Sequence, residues 1–108
     1  MPLEPPLERL KNKTTSENLW IYILRLLKER PMYAYEIQSE IKKRFGWEPA
    51  MITSYVVLYR LESAGYVMSE WQDGEILPRK YYRVTPKGEG LLLKAKEYLE
   101  NLTRVLFY

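Results

Sequence analysis

The spacing of apolar residues changes along the chain, and each change marks a predicted element. Residues 1 to about 13 hold three prolines among mixed charges, which predicts an extended arm or a short leading turn. Thr14 followed three residues later by Glu17 has the spacing of a capping box, so a helix is expected from about Ser16 to Glu29. Leu19, Trp20, Ile21, Tyr22, Ile23, Leu24, Leu26 and Leu27 make that helix apolar on nearly every face. A monomer of this size is expected to leave part of it uncovered, which predicts a second copy of the protein against it.

Arg30-Pro31 ends the first helix. A second is expected from Ala34 to Phe45, with Tyr35, Ile37, Ile41 and Phe45 at helical spacing, Gly46 as its cap and Pro49 blocking continuation. The third begins near Ile52 and stops before Gly65. Ser54, Val57, Leu58 and Leu61 fall on one side of it, leaving Tyr55, Val56, Tyr59 and Ser63 on or near the other, with Arg60 and Glu62 flanking. Tyr66 to Trp71 alternates as a strand, Gln72-Asp73-Gly74-Glu75 is turn chemistry, and Arg79 to Val84 is the return strand.

Thr85-Pro86 opens a last helix that runs to near Tyr108, with proline in the first turn. Its apolar positions Leu91, Ala95, Tyr98, Leu102 and Val105 step by 4, 3, 4 and 3, with Leu92, Leu99 and Leu106 in a parallel row. That is the spacing of a helix-pairing seam, here about two and a half heptads long, and it predicts packing across a dimer.

Composition narrows the chemistry. At 108 residues the chain is expected to be one domain, and 46% apolar with 29% charged residues is a globular balance. There is no cysteine and no histidine, which removes thiolate and imidazole metal ligands and the commonest general base. The acidic residues form no paired or metal-spaced group, so neither enzyme activity, metal nor cofactor is expected. No apolar run approaches the roughly 20 residues that cross a bilayer, and the N-terminus lacks a secretory pattern, so a cytoplasmic location is expected. Net charge is only +3, but residues 25 to 47 hold six Lys or Arg against three Glu, which places any basic surface in the first two-thirds.

The order of three helices, two strands and a long helix resembles the PadR family of transcriptional regulators. Tyr35-Glu36-Ile37 after the proline-ended helix is similar to the family's Gly-Tyr-Glu-Ile signature, with Ala34 in the glycine's place. Leu58, Arg60-Leu61-Glu62, Gly65 and Arg79-Lys80-Tyr81-Tyr82-Arg83 resemble its recognition helix and wing, and the likeness covers roughly residues 16 to 90. Ser54-Tyr55-Val56 stands where the family usually has Leu-Tyr-Pro, and Tyr33 where a histidine is frequent. The resemblance implies a mainly α fold with a small β wing (α+β): a winged helix-turn-helix over residues 14–85 and a C-terminal dimerisation helix over residues 86–108. It also implies a homodimer on a palindromic operator, usually a repressor, often released by a small aromatic molecule.

Residue roles follow from these placements. Thr53 and Ser54 stand where a recognition helix enters the major groove, Tyr55 and Tyr59 can donate to phosphate, and Val56 can touch a thymine methyl. Alternatively, Thr53 or Ser54 caps the helix and the tyrosines pack in the core. Arg79 and Lys80 follow the wing loop and can reach phosphate or a minor groove, or else form a solvated edge that discourages aggregation. Lys42, Lys43 and Arg44 suit a helix C-terminus without any ligand, or touch the DNA backbone. Leu19, Trp20, Ile23, Leu91, Ala95, Tyr98, Leu102 and Val105 are the candidate dimer contacts. Trp20 and Tyr98 are also candidate contacts for an aromatic effector, against ordinary packing. Double-stranded DNA and a second copy are the expected partners. A winged-helix module that binds proteins, or a small-molecule sensor with weak DNA output, is the alternative.

Overall fold

The computed structural model describes residues 4–108. Helix α1 spans Pro5–Lys13, a 3₁₀ turn Ser16–Asn18 leads into α2, Leu19–Leu27, and strand β1 is Met32–Tyr33. Then come α3, Ala34–Phe45, α4, Met51–Ser63, β2, Val67–Gln72, β3, Arg79–Val84, and α5, Pro86–Phe107. The expected arm is thus a helix over residues 5–13, while the part of it at residues 1–3 lies outside the described residues. Pro5 and Pro6 sit in its first turn, where a missing N–H costs nothing, and good helix formers follow. No residue of α1 is buried.

The capping box at Thr14 does not form. Thr14 ends α1, its hydroxyl donating to the Leu10 carbonyl at 2.9 Å, and Glu17 instead pairs with Lys13 at 2.7 Å. α2 therefore starts three residues later than expected, after the 3₁₀ turn, and closes at Leu27.

The largest correction concerns what covers α2. It touches α3, α4, α5 and β3, so a single chain surrounds it. Leu19 is 2% exposed and Ile23 0%, with Leu24, Leu26 and Leu27 buried beside them. Leu19 and Ile23 are therefore core residues and not dimer contacts, because no side chain this enclosed can meet a partner. Each such burial contributes about 1.5–3 kcal/mol against exposure. Trp20 is half-buried against this core, and its indole N–H donates to Asn18 Oδ1 at 3.1 Å.

The sheet has three antiparallel strands in the order β1-β3-β2, one more than the sequence pattern predicts. β1 pairs Met32 with Tyr82 and Tyr33 with Tyr81, and β2 pairs with β3 from Val67↔Val84 to Gln72↔Arg79. Val67 and Tyr82 are buried, while Met68 and Arg83 on the other face are exposed, as the two-residue period requires.

Two glycines fix how the wing joins the helices. Gly65 takes φ +82°, and the Tyr66 and Gly65 N–H groups donate to Leu61 and Glu62 carbonyls, a Schellman ending for α4. At Gly88 in α5 a Cβ would stand 2.1 Å from the Tyr66 carbonyl oxygen and 2.7 Å from Val84 Cγ2, so only glycine permits this approach. Thr85 caps α5, accepting from the Gly88 N–H at 3.1 Å while donating to the Gly65 carbonyl at 2.6 Å. From Tyr98 onward α5 leaves the body, and its apolar residues are exposed.

Candidate nucleic-acid interface

The centre of the site is α4. Ser54, Leu58 and Leu61 are buried and hold one side of the helix against α2, α3 and β2. Ser54 is 1% exposed and its hydroxyl donates to the Ala50 carbonyl at 3.1 Å, so its expected DNA contact is corrected: the side chain points into the fold. Neither Thr53 nor Ser54 caps the helix, because the N-cap residue is Ala50, which has no side-chain acceptor. The opposite side carries Ile52, Val56, Tyr59 and Ser63, at steps of 4, 3 and 4, with Thr53 and Arg60 along one flank and Tyr55 along the other; all seven are exposed.

Val56 and Tyr59 lie on this surface as expected, and Ile52, not among the expected contacts, stands 81% exposed at its head. Arg60, also not among the expected contacts, is exposed and has no ion-pair partner among the described residues. Both were legible, since they stand four residues before Val56 and four after it on the same face.

An aromatic cluster packs where α3 ends and the connection to α4 begins. Tyr22 meets Phe45 and Trp47 edge-on, each at 5.1 Å between ring centroids, and its hydroxyl donates to the Thr14 carbonyl at 2.6 Å. Burial pushes the Tyr22 hydroxyl above its ordinary pKa, against a smaller opposing effect from Trp47. Gln38 donates to the Pro49 carbonyl at 2.8 Å, which fixes the turn between α3 and α4. These contacts tie the whole helix-turn-helix to the end of α1.

The wing is tied to α4 through Glu62. Its carboxylate accepts from Ser69 Oγ at 2.5 Å and lies 3.8 Å from Lys80 Nζ. Lys80 is half-buried and also stands over the rings of Tyr82, at 5.6 Å, and Trp71, at 6.0 Å. Burial, then the Glu62 carboxylate, then Tyr55 raise the pKa of the Tyr82 hydroxyl, which is therefore neutral at physiological pH. Arg79 lies on the other face, 4.5 Å above the Tyr33 ring, while Tyr33 meets Tyr81 edge-on at 5.5 Å. Arg79 and Lys80 thus rest on aromatic rings where β3 leaves the wing loop. The tip presents Ile76, 91% exposed, and Leu77 between Asp73, Glu75 and Pro78.

The cationic cluster at the end of α3 is largely neutralised. Lys42 pairs with Glu48 at 3.5 Å, and Arg44 pairs with Glu29 and Glu40. A surface cleft of about 500 Å³ on α3 is lined by Glu36, Glu40, Lys42 and Glu48 among others, and its acidic groups disfavour phosphate there. A second cleft, of about 410 Å³, lies at the end of α5. The candidate effector contacts Trp20 and Tyr98 line neither. Of the remaining candidate dimer contacts, Leu91 and Ala95 are half-buried against the body, and Tyr98, Leu102 and Val105 are exposed.

An α-α-α-β-β order with a helix presented beside a two-stranded wing defines a winged helix-turn-helix. Residues 23–94 match the model of the transcriptional regulator PadR-like family, and the chain belongs to that family. It is 30% identical over 84 residues to "Transcriptional regulator Rv3488" of Mycobacterium tuberculosis, covering 78% of each chain. Among solved structures, a PadR family transcriptional regulator from Eggerthella lenta superposes with a TM-score of 0.82 at 29% identity, covering 93% of this chain and 88% of that one. Bacillus subtilis PadR, solved in complex with operator DNA, superposes with a TM-score of 0.65 at 28% identity, covering 70% of this chain and 45% of that one. No helix among the described residues is long and apolar enough to cross a membrane.

Proposed function

We propose that the protein is a homodimeric transcriptional repressor that binds a palindromic operator, working beside the chromosome in the cytoplasm. One observation carries this: the exposed stripe on α4 stands beside a wing that carries Arg79 and Lys80 next to its loop, in a fold shared with a protein solved on operator DNA. Thr53, Tyr55, Val56 and Tyr59 enter the major groove from α4, and Arg60 lies further along to meet the backbone. The Lys80–Glu62 contact is a surface pair worth about 1 kcal/mol at most, so Lys80 is free to exchange it for phosphate. Pairing of two copies is supported by the uncovered apolar surfaces, Leu7 and Leu10 on α1 and Tyr98, Leu102 and Val105 on α5. Two copies would set half-sites about one DNA turn apart, roughly 34–36 Å. An aromatic effector would take its place between copies, with Trp20 and Tyr98 as candidate contacts.

Selection from a random DNA library with the purified protein is expected to return an inverted repeat. The Arg79→Ala/Lys80→Ala variant is expected to bind that DNA more weakly whatever its sequence, with the salt slope reduced by about two. Unchanged affinity and slope would show that the wing does not touch the backbone. One feature favours a second reading, a module that docks on protein: the wing tip is apolar and acidic, with Ile76 and Leu77 exposed just after Asp73 and Glu75. Failure to enrich any sequence at low salt would favour it.

A further inference from the structure

We infer that α4 reads its half-site chiefly through the C5-methyl groups of thymine, with Ile52 and Val56 as the reading residues. The inference rests on the DNA-binding function proposed above and names the chemistry by which bases are chosen.

Major-groove reading has a limited vocabulary. Guanine is read by bidentate Arg or Lys, adenine by bidentate Asn or Gln, cytosine by a carboxylate, and thymine by an apolar side chain against its methyl. From Met51 to Tyr59 the helix contains no Arg, Lys, Asn, Gln, Asp or Glu. Arg60 is its first charged residue, beyond the N-terminal part that meets base edges in this class of fold. The bidentate pairs are therefore out of reach of the entering turns.

What those turns present is apolar. Ile52 is 81% exposed and Val56 45%, one helical turn apart on the same face. Their Cβ atoms are thus separated by roughly 5–6 Å, which spans one to two base-pair steps. A β-branched residue so exposed at the head of a helix gains nothing in the free chain, whereas a methyl-lined groove would cover it. Thr53 and Tyr59 add hydroxyls along this surface, able to bond phosphate or a base edge without setting a unique base. Arg60 is exposed on the flank of this same helix with no ion-pair partner among the described residues, and Arg79 and Arg83 are exposed on the wing, so cations suited to a polyanion accompany the apolar stripe.

Uracil isolates the test, because it keeps every hydrogen-bonding group of thymine and lacks only the methyl. The half-site recovered by selection is expected to be rich in A·T pairs. Replacing single thymines in it by uracil should weaken binding about three- to four-fold per methyl, the worth of one buried apolar carbon. Where the same pair is changed to C·G, 5-methylcytosine in place of cytosine should restore part of the binding lost. The penalty for uracil should vanish in Ile52→Ala and Val56→Ala, each at the position whose methyl it touches. Both side chains are exposed, so these variants keep their fold, and unchanged melting temperatures would verify it. Equal binding to thymine and uracil operators by the native chain would overturn the inference while leaving the DNA-binding function intact. A uracil penalty that persists undiminished in both alanine variants would also overturn it. If selection returns no operator, it is the DNA-binding function that fails, and the inference with it.

Discussion

α2 and the distal half of α5 are both rich in leucine and aromatic residues, yet they have opposite fates. α2 lies at the centre of the fold, walled in by α3, α4, α5 and β3, with Leu19 and Ile23 sealed from solvent. α5 begins against the wing and then runs clear of the body, leaving Leu102, Val105, Leu106 and Phe107 uncovered. Apolar content alone does not say what covers a helix. For α2 the answer is the same chain, and for α5 a second chain is the proposed cover.

Mutation separates the two most sharply at the core. Ile23→Ala leaves a cavity where no neighbour can collapse freely and is expected to cost about 2–5 kcal/mol of folding stability. Denaturant unfolding should show that loss at any protein concentration; a loss confined to dilute protein would place Ile23 in an interface after all. Leu102→Glu/Val105→Glu tests the other half. It should change unfolding of the single chain by no more than about 0.5 kcal/mol, as exposed substitutions do. Sedimentation is expected to find the native chain as a dimer and this variant as a monomer, and a dimer that survives both charges would refute this seam.

The smallest effect concerns the ion pairs over the core. The Arg44 side chain, hydrogen-bonded to Glu29, holds that carboxyl below its ordinary pKa, with Arg25 and Arg30 adding to the effect. A carboxyl whose folded pKa is depressed stabilises the fold above its unfolded value, and the contribution fades as pH falls through the folded one. Glu29→Gln should therefore lower the melting temperature slightly at neutral pH and not at all once pH is below the carboxylate range. A difference that persists in acid would assign the effect to packing. Both partners are surface groups, so added salt should shrink it as well.

Much of the fold is written in local pattern. Gly46 and Gly65 end α3 and α4 where the sequence places them, both with positive φ, and Thr85-Pro86 opens α5 as expected. β1 escapes because two residues carry no periodicity; Met32 and Tyr33 become a strand only by pairing with Tyr82 and Tyr81. α1 was hidden by its prolines, which read as an extended arm until their place in the first turn is known. The site was legible in part. Val56 and Tyr59 follow from helical period, and so does the place of Ser54 beside Leu58 and Leu61, but its position in the entry turn also fits a DNA contact and its burial decides between the two.

By itself, the sequence determined that α2, α3 and α4 precede a wing and that a long helix follows it, because caps, glycines and apolar spacing act within a few residues of one another. Tertiary structure decided which apolar helix is core and which is surface, and that Lys80 leans on Glu62. Those outcomes depend on what lies across a gap in space, and a pattern along the chain holds no record of that.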